Sequence, residues 1–316
     1  MLNKSRAIPI PWANVYGLAR TLLALGTAGT LAFSSSATLF RPVVSVGQYP
    51  LCHGVTTGGA FCLVPREEFD LARWACVAVL LLVASGWRPR LTAIPHAYIS
   101  FSVFSGIAIG DGGDQITWIL SLLLALVGLG DPRHWHWQSP AQALRGTAER
   151  RWALLGTSAL VVARLQMTIV YFQASVAKLP HAEWADGSAM FYWANSPTFG
   201  APDWLRGPVS AIVSTPAGVA VTTWAPVALE LALAAALLMP QRFRWRLLPL
   251  GLLFHLSIAL MMGLWSFALA MWAGLLLLLT PIGHSLPLSR RSGRTTVQPE
   301  SAPELVDTPA KPSLTA

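Results

Sequence analysis

The chain has 316 residues, of which 54% are hydrophobic and only 11% are charged, whereas an ordinary soluble domain is about one quarter charged. So few charges cannot cover a soluble surface, which excludes a disordered chain, a coiled coil or a disulfide-stabilised mini-domain as a description of the whole. The net charge of +8 is interpreted as the orienting charge of a membrane protein rather than as a nucleic-acid surface, so no nucleic-acid partner is expected.

Eight apolar runs predict transmembrane helices. In chain order they cover residues 18–33, 71–87, 91–109, 115–129, 152–178, 218–239, 247–262 and 265–281. The sequence therefore predicts an all-α, polytopic transmembrane helix bundle of about eight spans over residues 1–282, in contact with membrane lipid. A signal peptide cut near Ala37 is the alternative for the first run, but the seven later runs favour a retained helix.

The distribution of Lys and Arg between alternate loops predicts the orientation. With the N-terminus inside, the outer loops carry only Arg41, Arg66 and Arg206, with Arg73 and Lys178 at the outer ends of spans. This asymmetry predicts that both termini are cytoplasmic. Residues 283–316 are rich in Ser, Pro, Thr and charge, which predicts a disordered cytoplasmic tail.

Two of the three cysteines, Cys52 and Cys62, lie in the long loop after the first span. The predicted orientation places this loop outside, where a disulfide can form. We therefore predict a Cys52–Cys62 disulfide, with two free thiols as the alternative. Cys76 lies in an apolar run and is interpreted as a small buried residue.

Ionisable side chains inside spans are costly and mark candidate functional residues. Four of them, together with a lysine at the end of the fifth span, form the candidate set: His96, Arg164, Glu230, His255 and Lys178. Arg164, Tyr171 and Lys178 recur at helical spacing and share one face of the fifth span. The structural alternative is a buried polar network that only orders the bundle, in which Glu230 neutralises Arg164.

Two further polar segments are weaker candidates. Asp111 and Asp114 in the turn IGDGGDQI can bind a cation, pair with Lys178, or simply make a polar hairpin. His134 and His136 in the segment HWHW lack further metal ligands at suitable spacing, so we predict interfacial packing and no metal site.

The segments YFQASVAKLPHAEWADGSAMFYW and FHLSIALMMGLWSFALAM resemble the core of the membrane domain of vitamin K-dependent gamma-carboxylase, the HTTM superfamily. By this resemblance Lys178 corresponds to the catalytic base lysine and His96 to an active-site histidine. His255 falls in the histidine-containing span of that family. The lumenal domain that holds the carboxylase substrate is absent here, which weighs against glutamate carboxylation.

The chain also resembles the sporulation-delaying-protein-B type of bacterial membrane protein, from about residue 12 to residue 281. The similar segments are ARTLLALGTAGTL, SGWRPRLTAIPHAYISFS, DGGDQI, DPRHWHW and RLQMTIVYFQASVAKL. This resemblance implies a factor of the bacterial cytoplasmic membrane that, with a small partner protein, helps to produce a secreted toxin peptide from its precursor.

Three hypotheses remain from the sequence. The first is a maturation or export factor for a secreted antimicrobial or toxin peptide. The second is an enzyme of the carboxylase type that depends on a reduced quinone, of the menaquinol or vitamin K hydroquinone type, and uses Lys178 as a base. The third is a scaffold whose charges are only paired.

Overall fold

The computed structural model describes residues 8–140, 143–144 and 146–285, and this part of the chain is all-α apart from a two-stranded antiparallel ribbon. The helices are α1 (Asn14–Phe33), α2 (Ser36–Leu39), α3 (Phe69–Ser85), α4 (Pro89–Gly106), α5 (Gly112–Leu129), α6 (Thr147–Val176), α7 (Ala182–Ala185), α8 (Ala189–Ala194), α9 (Asp203–Val213), α10 (Pro216–Ala234), α11 (Gln241–Met262) and α12 (Trp265–Leu279). The ribbon strands are β1 (Pro42–Val43) and β2 (Gly47–Gln48). Each of the eight predicted apolar runs forms one long helix, so the predicted all-α bundle is confirmed.

Four of the described helical segments are long and apolar enough to cross a membrane: Gly112–Leu129, Thr147–Val176, Pro216–Leu238 and Gln241–Met262. The apolar helix α12 is shorter, with 15 residues, and α3 has 17. These helices make the chain a membrane protein, while the total of eight spans stays a prediction. The predicted tail lies from residue 286 onward outside the described residues, so the boundary at residue 282 also stays a prediction.

Local sequence signals explain where the helices begin and end. Pro216 opens α10 after Thr215, whose hydroxyl accepts the backbone N–H of Gly218 over 3.1 Å, as expected of an N-cap followed by proline. Gly86 and Gly263 follow the last residues of α3 and α11 with φ of 90° and 74°. Glycine is favoured there because the left-handed region strains residues that have a Cβ.

Helix α1 packs mainly against α12 and α3. Helix α4 pairs with α5, and α6 packs against both α5 and α10, while α11 packs on α12. The main apolar core lies between α1, α5, α6 and α12, with Leu23, Leu120, Met167 and Leu275 at its centre. This arrangement brings the polar face of α6 towards α10, α11 and α12.

The loop between α1 and α3 is held by a covalent bond and by aromatic packing. Cys52 and Cys62 form a disulfide, as predicted. Phe40 lies 4.7 Å, ring centre to ring centre, from both Phe61 and Phe69. Because Phe61 precedes Cys62 directly, the disulfide ties the loop to a cluster of buried aromatic rings.

The segment HWHW docks on the turn between α3 and α4, in agreement with the packing role predicted for it. The backbone N–H of His136 donates to Gly86 over 2.9 Å, and that of Arg88 donates to His134 over 2.7 Å. The His136 ring fills a space between Gly17 and Gly86, where an added Cβ would lie 2.8 and 2.5 Å from it. Burial, reinforced by the charges of Arg20 and Arg133, lowers the pKa of this loop histidine to about 3.

Candidate functional site

Lys178 and Glu230 form a largely buried ion pair at the junction of α6 and α10. Lys178 Nζ donates to Glu230 Oε1 over 2.7 Å, to Oε2, and to the backbone oxygen of Ala174 over 3.0 Å. The Glu230 side chain is 7% exposed and that of Lys178 22%. The Trp184 ring covers the ammonium, with Nζ 5.3 Å from the ring centre, a distance at which the ring attracts a cation.

A cavity of about 360 Å³ opens beside this pair, between α5, α6, α10, α11 and α12. Its polar lining consists of Glu230, Tyr171, His255 and three glutamines, and its other walls are largely apolar. The glutamines are Gln115, Gln166 and Gln173; the apolar residues include Ile116, Ile119, Val170, Phe254, Ile258, Phe267 and Met271. Small-molecule sites have this volume and this combination of apolar walls with a few convergent polar groups.

Tyr171 and His255 make a second polar pair on the wall of the same cavity. The Tyr171 hydroxyl and His255 Nε2 lie 3.0 Å apart in a hydrogen bond whose donor depends on the imidazole tautomer. The two residues are 1% and 2% exposed, and His255 Nδ1 has no partner in the described part of the chain. Buried polar atoms are seldom left without a partner in native proteins, so this nitrogen is an exception beside the cavity.

The arrangement can store and move a proton. A lysine amine acts as a base only when it is neutral. Transfer of one proton from Lys178 Nζ to a Glu230 carboxylate oxygen would convert the ion pair into a neutral amine and a carboxylic acid. Glu230 is thus placed to receive the proton that Lys178 must lose before it can act as a base.

Arg164 lies elsewhere, and the pairing of Glu230 with Arg164 considered from the sequence was wrong. Arg164 Nε donates to the backbone oxygen of Leu277 over 3.0 Å, and Nη2 donates to that of Thr280. These carbonyl groups belong to the C-terminal end of α12, where the helix leaves unsatisfied acceptors. Arg164 and Lys178 are two ends of one polar face, and only Lys178 reaches Glu230.

Asp111 and Asp114 cap α5, and their pairing with Lys178 is not observed. Asp111 Oδ1 accepts the backbone N–H of Asp114 over 3.0 Å, and Asp114 Oδ2 accepts that of Asp111 over 3.1 Å. This reciprocal capping box satisfies two N–H groups of the first turn. No cluster of three or more His, Cys, Asp or Glu suited to a metal occurs among the described residues.

His96 belongs to another part of the bundle. It is fully buried on α4, and the charge acting on it is that of Arg20 on α1, not that of Lys178. Arg20 is itself 1% exposed, and it is not among the candidate residues predicted from the sequence. Its position four residues after Tyr16, on one face of α1, was the available signal.

Comparison with known proteins identifies the family of this chain. Residues 140–281 match the HTTM domain, and this segment contains Tyr171, Lys178, Glu230 and His255 but not His96. The uncharacterized protein YitO of Bacillus subtilis (strain 168) is 36% identical over 279 residues, which are 87% of this chain and 88% of that protein. No solved structure matches the chain.

The sporulation-delaying protein SdpB of the same organism is 31% identical over 281 residues. The match covers 88% of this chain and 85% of SdpB, so the similarity extends through the whole helical bundle and not only through the HTTM segment. The chain therefore belongs to the SdpB-type membrane proteins that contain an HTTM domain.

Proposed function

We propose that this protein is an integral factor of the bacterial cytoplasmic membrane that acts in the maturation or export of a secreted antimicrobial or toxin peptide, together with a small partner protein. The observation that carries the proposal is the similarity to a sporulation-delaying protein over 88% of the chain. On this basis the protein takes part in a sporulation-delaying toxin pathway, with the peptide precursor as its substrate.

A groove in the segment that follows Lys178 along the chain supports a peptide substrate. It has a volume of about 540 Å³ and is formed by α7 and α8, with Glu183, Asp186, Tyr192 and Trp193 in its lining. Hydrogen bonds from Ser188 hold the pKa of Asp186 below its usual range, so this carboxylate is charged at neutral pH. Two acidic and two aromatic side chains suit a segment of peptide that carries basic and apolar residues.

Our proposal includes the predicted orientation with both termini in the cytoplasm, in which this groove and Lys178 lie on the outer side. It is supported by the distribution of Lys and Arg between alternate loops. Labelling of single introduced cysteines with an impermeant reagent tests it. Positions near Gly58 and Gly113 should react from outside and positions near Arg145 should not; labelling near Arg145 from outside would contradict the topology.

A second function, a quinol-dependent modification of the peptide, is favoured by the cavity at the Lys178–Glu230 pair. Its apolar walls suit an aromatic ring, and its lining includes Tyr171 and Gln173, whose side chains carry hydrogen-bonding groups suited to ring oxygens. A bound hydroquinone supplies two electrons and an acidic hydroxyl group. In this function the residues of the protein hold a proton at Lys178 Nζ and exchange it with Glu230, and Trp184 limits the access of water.

Mass spectrometry of the secreted peptide distinguishes the two functions. Peptides released by cells with the intact protein are compared with those from cells with Lys178→Ala or Lys178→Arg, at equal protein levels. The matched control is Arg206→Ala, which removes a cation from an exposed ion pair with Asp203. A secreted peptide of altered mass in cells with Lys178→Ala supports the enzyme. A smaller amount of secreted peptide, with its mass unchanged, supports processing or export.

Lys178→Arg separates a base from a structural cation. Arginine keeps the charge and can bind Glu230, but it does not give up its proton. If Lys178 acts as a base, both variants fail in cells that contain normal amounts of protein. A well-expressed Lys178→Arg protein that still yields active peptide would refute the base mechanism and leave a structural pair.

A further inference from the structure

A second group of buried polar side chains lies between α1 and α4, away from the cavity described above. Tyr16 and Arg20 are four residues apart on α1, and Thr92 and His96 are four residues apart on α4. Their exposed fractions are 2%, 1%, 4% and 0%. Each pair occupies successive turns of one helix face, so the group extends along the interface of the two helices.

The group has more hydrogen-bonding atoms than partners. Arg20 Nη2 donates to the Thr92 hydroxyl over 2.7 Å, and this hydroxyl is close enough to donate to the backbone oxygen of Trp87 or of Arg88. In the described part of the chain, Arg20 Nη1, the Tyr16 hydroxyl and both nitrogens of His96 have no partner. Native proteins leave few buried polar atoms unpaired, and four in one group require an explanation.

The charge of Arg20 is also without a counter-ion among the described residues. Asp131 is the carboxylate that acts on Arg20 electrostatically, but it is bound by Arg133, with Oδ1 2.9 Å from Nε and Oδ2 2.7 Å from Nη2. A guanidinium keeps its proton. Among the described residues, the interface therefore carries one positive charge that no carboxylate contacts directly, and burying a charge without a partner is strongly destabilising.

We propose that the α1–α4 interface binds a small monovalent anion of the halide class. Arg20 Nη1 supplies the charge, and the Tyr16 hydroxyl and one N–H of His96 supply further donors. Water would satisfy the donors but not the charge. The near-complete burial of these side chains excludes a lipid headgroup.

The test uses the full-length protein in detergent and measures its Tm at constant ionic strength. Sodium gluconate is replaced stepwise by sodium chloride or sodium bromide, with sodium sulfate as the comparison salt. We expect the Tm to rise to a plateau in chloride and bromide and to stay unchanged in sulfate, since ligands that bind only the folded state raise the Tm. An equal response in all salts, or none, would overturn the proposal.

Two variants tie the response to this interface. Tyr16→Phe removes one donor with little change of shape and should raise the chloride concentration at half-effect about tenfold. Arg73→Gln is the control, because Arg73 is also buried but is fully partnered by Asp70 and by backbone oxygens of Leu31 and Ser34. It should lower the Tm and keep the chloride response. An unchanged half-effect concentration in Tyr16→Phe would overturn the proposal.

Discussion

The Lys178–Glu230 pair makes a quantitative prediction about stability that does not depend on any assay of function. Glu230→Gln leaves the Lys178 ammonium without a counter-charge, and Lys178→Met leaves the Glu230 carboxylate in the same state. Removing one partner of a buried pair costs about 3–5 kcal/mol. Lys178 is 22% exposed and Glu230 7%, so water screens part of the loss and we expect the lower end, about 3 kcal/mol for Glu230→Gln.

The double variant Lys178→Met/Glu230→Gln should recover much of this loss, because neither unpaired charge remains. We expect it to be more stable than the sum of the single variants by about 2–3 kcal/mol. At about 2–4 °C per kcal/mol, Glu230→Gln alone should lower the Tm by about 6–12 °C. The measurement is the thermal unfolding of the purified proteins in one detergent, at pH 7.

The exposed pair Arg206–Asp203 provides the matched control. Its side chains are 67% and 89% exposed, and exposed pairs contribute about 0–1 kcal/mol. Its single and double alanine variants should therefore be additive within about 0.5 kcal/mol. If the Lys178 and Glu230 variants are also additive within that range, the two residues do not form a coupled buried pair and the reasoning about proton transfer between them fails.

Three further predictions concern the loops. The pKa of His136 is about 3 in the folded state and about 6.5 in the unfolded state, so below about pH 6.5 the unfolded state binds the proton more readily. The free energy of unfolding should therefore fall by up to about 1.4 kcal/mol per pH unit as the pH decreases from 6.5 towards 3. The decrease should be smaller in His136→Asn. Gly86→Ala should destabilise by at least about 1–2 kcal/mol, because its φ is 90° and its Cβ would meet His136; unchanged thermal unfolding would contradict this. Unreduced, denatured protein should contain one free thiol, Cys76, and three free thiols would disprove the disulfide. Replacing Cys52 and Cys62 by Ser should speed hydrogen exchange in their loop, since a disulfide contributes about 2–4 kcal/mol to stability.

The sequence predicted the helices and the polar face of α6 because both depend on local periodicity. Tyr171, which lies on the predicted face, is 1% exposed, and Met167 and Ser175, which share this face by helical spacing, are fully buried. The period of a helix determines which residues share a face, but it does not determine which helix that face meets. Glu230 is 52 residues from Lys178 in the chain, and nothing in its own segment distinguishes Lys178 from Arg164 as its partner.

Arg20 and His96 show a second limit of sequence reasoning. Arg20 lies near the start of an apolar run, where positive residues usually orient a membrane protein, and its burial depends on the close packing of α1 against other helices. His96 was linked to Lys178 only by resemblance. The structure separates the two residues into different interfaces because α4 packs on α5 and α3, while the end of α6 packs on α10.

The partners of the buried cations differ between the arginines and Lys178. Arg73 and Arg133 each bind an aspartate and backbone oxygens, and Arg164 binds the carbonyl end of α12. Arginines held in this way keep both their protons and their positions. Lys178 differs in all three respects that matter: its side chain can lose a proton, its partner Glu230 can accept one, and that partner lines a cavity that also presents Tyr171 and His255. The cation that stabilises the junction of α6 and α10 is therefore the one for which we propose a chemical role, through Glu230 in the cavity lining.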